Sequence, residues 1–98
     1  MKSTPKDAFV ALCIAFRDRN QQKIRNADVL VEQHPELAHA WDAANALCRE
    51  AGVYGADREP DARQSGALRD LERALPDAVA EGRAVLRGAK SIMLAAGK

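Results

Sequence analysis

The side chains best suited to hold a metal or act as nucleophiles are two cysteines and two histidines: Cys13, Cys48, His34 and His39. Zinc sites use cysteines and histidines at short, regular spacings, such as a CxxC pair. This chain has no such pair, and its histidines lie on either side of an expected helix start. We therefore predict no metal and no cofactor. Both cysteines fall on apolar helical faces, which predicts buried free thiols.

Carboxylates gather in the glycine-containing segment 52–61, at Asp57, Glu59 and Asp61. Paired carboxylates can perform acid–base catalysis or bind a cation, but this segment lacks the closing glutamate of a calcium loop. Its glycines, without a lysine, do not form a phosphate-binding loop either. We interpret the cluster as the acidic start of a helix, and we predict that the protein is not an enzyme.

Tyr54 lies between two glycines in the same segment. An aromatic side chain in such a position is either folded back onto the core or exposed as an anchor for a partner. Tyr54 and the nearby Arg58 therefore form one candidate partner-binding surface, with the plug onto the core as the alternative.

The segment 77–96 has two apolar faces at helical spacing. One contains the larger side chains, and the second contains only small residues: Ala80, Ala84, Gly88, Ser91 and Ala95. Each interior glycine costs about 1 kcal/mol against alanine in a helix, a cost that another backbone passing close by would explain. Either this is the central helix of the monomer, or the small face binds a second copy or another partner. We favour the interface.

Three cations follow one face of the same segment at helical spacing: Arg83, Arg87 and Lys90. They form either a solvated face or a contact for an acidic partner or a phosphate backbone. Together with the small face they define the candidate partner-binding residues of this helix, which are Arg83, Ala84, Arg87, Gly88, Lys90 and Ser91.

A helix-turn-helix is the alternative functional interpretation. The polar run 17–20 would be the turn, and the next helix would offer side chains of the types that contact base edges: Gln21, Gln22, Lys23, Arg25 and Asn26. The turn lacks a glycine, and the net charge of the chain is only +1. Nucleic acid is therefore the second choice of partner, after protein.

The first helices have clear local start signals. Thr4 and Asp7 form a capping box that begins a helix, which we end near Arg19. A second helix is predicted at 21–33, although the first could instead continue unbroken through Asn20. Both interpretations place apolar residues at spacings of three and four.

The segment 35–52 is predicted as one complete helix, with a proline in its first turn and a glycine at its end. Its apolar stripe places Trp41 and Cys48 on a buried face. A further helix is predicted at about 60–75, and Pro76 either starts a new helix or kinks a continuing one.

The stretch 35–56 resembles the first helix of a tetratricopeptide repeat and the turn that follows it. The proline, small residue, aromatic residue, glycine and tyrosine of that motif correspond to Pro35, Ala40, Trp41, Gly52 and Tyr54. The family is a solenoid of helical hairpins that binds peptides in its groove. The match ends at 57–61, where Pro60 interrupts the second helix, so the resemblance implies helical-hairpin packing.

Composition favours helices over strands, because alanine is abundant and aromatic residues make up only 4% of the chain. We predict an all-α fold, a compact single-domain bundle (1–98) of four to five short helices arranged in hairpins. No apolar run approaches the roughly 20 residues of a membrane span, so we expect a cytoplasmic protein without membrane contact. The predicted function is a small non-catalytic protein-interaction module, an adaptor, regulator or inhibitor that also forms a homodimer.

Overall fold

The computed structural model describes residues 4–53 and 59–96, with side chains as far as residue 88. Within these ranges the chain forms five α-helices: α1 (Pro5–Asp18), α2 (Gln21–Glu32), α3 (Ala40–Ala51), α4 (Ala62–Ala74) and α5 (Pro76–Ala96). A 3₁₀ turn, Pro35–Leu37, precedes α3. No β-strand occurs in these ranges, and the predicted all-α bundle is confirmed.

Polar side chains cap the starts of three helices. The Thr4 hydroxyl accepts a hydrogen bond from the Asp7 amide, and the Asp7 carboxylate accepts one from the Thr4 amide. Asp61 and Gln64 form the same reciprocal box at the start of α4. Because capping satisfies amides that a helix leaves without partners, these starts lie where the sequence signals predict them.

The start of α2 is also capped, in the turn that follows α1. The Asn20 side chain accepts hydrogen bonds from the amides of Gln22 and Lys23, at 3.0 and 3.2 Å. Arg19 adopts a left-handed conformation with φ of 53°, although it is not glycine. Its guanidinium donates to the carbonyl of Val53 at 3.1 Å. The two helices are therefore separate, and a long-range hydrogen bond holds the turn.

The predicted continuous helix at 35–52 is wrong in its first turn. Pro35 begins a 3₁₀ turn in which the Ala38 amide bonds back to the Pro35 carbonyl, and α3 starts only at Ala40. Leu37 is fully buried, so this turn places an apolar side chain in the core before α3 begins. Gly52 ends α3 in a left-handed conformation, as the sequence predicts.

The core is formed where α1 packs against α2, α3 and α5, and α3 packs against α4. Alanines make up much of the buried surface of α3: Ala40, Ala43, Ala44 and Ala46. Small side chains let helix axes approach closely, so larger residues from the neighbouring helices fill the space between them. These larger buried residues are Phe9 and Leu12 of α1 and Val79 and Leu86 of α5, and Leu37 of the 3₁₀ turn and Leu47 of α3 itself are also fully buried.

Pro76 starts a new helix, the first of the two outcomes expected from the sequence. Leu75 separates α4 from α5 with φ of −136° and ψ of 69°, which lies outside the helical region that a following proline disfavours. Among the described helices, none has the length and apolar character needed to cross a lipid bilayer.

Candidate interaction surfaces

The small face of α5 lies on the outside of the bundle as far as it is described. Ala80 and Ala84 are exposed, and Gly88 is half-buried. A β-carbon placed at Gly88 would meet no atom within 4 Å. Within the described part of the chain, the expectation that another backbone passes close to this residue is therefore not met. The side chains of Lys90 and Ser91, also predicted for this surface, lie outside the described part of the chain.

Gly82, the other interior glycine of α5, has a different environment. A β-carbon there would lie 2.8 Å from Phe9 Cε2 and 2.9 Å from Cys13 Sγ. Close packing of α1 on α5 thus requires a glycine at this position. The expected close approach is found at Gly82, where it comes from side chains of α1.

Arg83 joins three helices. Its guanidinium lies 3.2 Å from the Glu72 carboxylate of α4 and 3.7 Å from the Glu50 carboxylate of α3. On the last helix itself the sequence shows no acidic residue at a matching spacing beyond Glu81, and the partners of Arg83 come from other elements. Arg87, one turn further along α5, is exposed. Of the predicted cations with described side chains, Arg83 therefore stabilises the bundle and Arg87 faces solvent.

The loop surface predicted around Tyr54 and Arg58 lies outside the described residues. Val53, at the near end of this loop, is half-buried and accepts the hydrogen bond from Arg19 described above.

The five residues proposed to contact DNA are all exposed on the first turns of α2, but they divide between two flanks. Lys23 and Asn26 line a groove of about 240 Å³ between α1 and α2, whereas Gln21 lines a cavity on the opposite side. Gln22 donates to the Asn26 side chain at 3.1 Å, and Lys23 lies 2.8 Å from the Asp18 carboxylate. Three of the five side chains, those of Gln22, Lys23 and Asn26, therefore already have partners within the monomer.

Asp18 is the acidic partner of Lys23 in this ion pair. Hydrogen bonds from Lys23 and then from Arg17 hold the pKa of the Asp18 carboxyl below its ordinary value, which keeps it ionised. Its single negative charge lies between Arg17 and Lys23 and offsets one of their two positive charges.

The prediction that Trp41 lies in the core is wrong. The residue was placed on a buried stripe, but its side chain is 40% exposed. The indole Nε1 donates to Asp28 Oδ1 at 2.6 Å, and the ring meets Phe16 edge-on with centroids 5.0 Å apart. Because Ala40, Ala43 and Ala44 occupy the centre of the buried face, Trp41 lies at its margin. The Asp28 bond links α2 to α3, a pairing that helical spacing along one segment does not reveal.

A shallow cavity of about 500 Å³ has Phe16, the ring that Trp41 contacts, in its lining. It is lined by Phe16, Arg19, Gln21 and Ile24. Phe16 belongs to both features, since it lines the cavity and packs against the Trp41 ring. We call these four residues together with Trp41 the Trp41 groove. Sequence reasoning missed it, because its walls come from three helices.

The four soft metal ligands do not form one cluster, although the two cysteines lie near each other. Cys13 and Cys48 are both buried and unbridged, as predicted. Burial, and secondarily the neighbouring Cys48, raises the pKa of the Cys13 thiol far above its ordinary value. His39 is exposed at the start of α3, and His34 precedes the 3₁₀ turn. Within the described ranges, no three histidine, cysteine or carboxylate side chains are grouped to hold a metal ion.

Comparisons of this chain with protein-family models, with curated protein sequences and with solved structures find no match.

Proposed function

We propose that this chain is a small non-catalytic protein-interaction module, an adaptor, regulator or inhibitor, that binds a second copy of itself through the outer face of α5. The observation that carries the proposal is the row formed by Ala80, Ala84 and Gly88, which faces outwards with open space over the glycine. Small residues in a row let two helices pack closely.

The contrast between the two glycines of α5 supports this assignment. Packing against α1 accounts for Gly82, but among the described residues no contact accounts for Gly88. A glycine inside a helix costs about 1 kcal/mol against alanine. A second helix lying across Ala84 and Gly88 would offset that cost, because the lack of a side chain at Gly88 would let the two backbones pack closely.

Gly66 of α4 also has open space around it, but its surroundings differ. Its cavity has charged and polar side chains, including Arg63, Asp70 and His39, in its lining besides Ala62 and Ala67. The row on α5 offers the uncharged methyl groups of Ala80 and Ala84, with Arg87 exposed nearby. Interfaces are depleted of charge at their centre and polar at their rim, and α5 fits that pattern better than α4 does.

The test is a pair of matched variants. Ala84→Leu places a large side chain in the proposed interface, and Ala74→Leu makes the same change at an exposed alanine on α4. We expect sedimentation to show weaker self-association for Ala84→Leu by at least about tenfold, with Ala74→Leu unchanged. Equal association constants for both variants and the wild type, with retained helical circular dichroism, would reject the α5 face.

A second candidate function is DNA binding through α2. The observation in its favour is the exposure of all five predicted contact residues at the start of a separate helix. Lys23→Glu with Arg25→Glu should then abolish retention on duplex DNA at low salt, because phosphate contacts dominate such binding. If the wild-type chain is not retained at low salt, this candidate is excluded.

A further inference from the structure

We draw no further inference here: the strongest candidate, the Trp41 groove formed by α1, α2 and α3, is a surface with exposed charges of both signs, Arg25 and Glu32, on the adjoining flank of α2, and nothing in the structure shows what covers it.

Discussion

The indole Nε1 of Trp41 donates a 2.6 Å hydrogen bond to Asp28 Oδ1, which joins the first turn of α3 to the middle of α2. The carboxylate makes this a charge-assisted bond, which is stronger than one between neutral groups. It holds a large aromatic ring at the surface instead of in the core. The same bond therefore links two helices and orients the main side chain of the Trp41 groove.

Removal of that carboxylate should loosen the tryptophan. Asp28→Ala is expected to lower the free energy of unfolding by about 1 kcal/mol and to shift Trp41 emission to longer wavelength, because the ring becomes more mobile and more hydrated. Urea unfolding followed by fluorescence measures both effects. Asp70→Ala, the same change at an exposed position of α4, is the control. Identical results for the two variants would show that the bond does not form in solution.

Two glycine substitutions should have effects of opposite sign. Gly82→Ala brings a β-carbon to 2.8 Å from Phe9 Cε2, so it should destabilise the fold by about 1–3 kcal/mol. Gly66→Ala meets no atom within 4 Å inside a helix, so it should stabilise by about 0.5–1 kcal/mol. Thermal or urea unfolding decides the signs. A Gly82→Ala variant as stable as the wild type would contradict the packing of α1 on α5.

The left-handed residue at the end of α1 offers a backbone test. Arg19→Ala and Arg19→Gly both remove the side-chain bond to Val53, but only glycine adopts φ of 53° without cost. The glycine variant should therefore be more stable than the alanine variant by about 1 kcal/mol. Equal stabilities in urea would show that the turn between α1 and α2 is not in this conformation.

The buried thiols predict a loss of stability at alkaline pH. Burial raises the pKa of Cys13 above its ordinary value of 9.0, so above about pH 9 the unfolded chain releases a proton that the folded chain keeps. The free energy of unfolding should then fall by about 1.4 kcal/mol per pH unit from this thiol. Below about pH 9 this loss of stability does not occur, because the thiol keeps its proton in both the folded and the unfolded chain.

The measurement is urea unfolding between neutral pH and about pH 10, compared with Cys13→Ala. The variant is less stable at every pH because it leaves a cavity, but its stability should decline less steeply above pH 9. Parallel curves for the two proteins would mean that Cys13 ionises as readily in the fold as in the unfolded chain.

The parts of this fold that the sequence could predict are those with local causes. Thr4, Asn20 and Asp61 can cap the helices they precede because the capped amides lie two or three residues away. Pro76 and Gly52 act on backbone conformation within one residue. Five helices follow from such signals and from apolar spacing.

The remaining features depend on residues distant in sequence. Nothing around Pro35 distinguishes a 3₁₀ turn from the first turn of a helix, since the burial of Leu37 by other elements decides it. The partners of Arg83 come from α3 and α4. Trp41 lies at the margin of its buried stripe because Asp28 of α2 binds it there. The Trp41 groove could be found only from the three-dimensional structure.

The solution mass of the wild-type chain, measured by light scattering over a series of protein concentrations, tests the central proposal most directly. If α5 binds a second copy through Ala80, Ala84 and Gly88, the mass should rise with concentration to twice the 10.6 kDa of one chain and then stay constant. A mass of 10.6 kDa at every concentration would contradict the proposed interface.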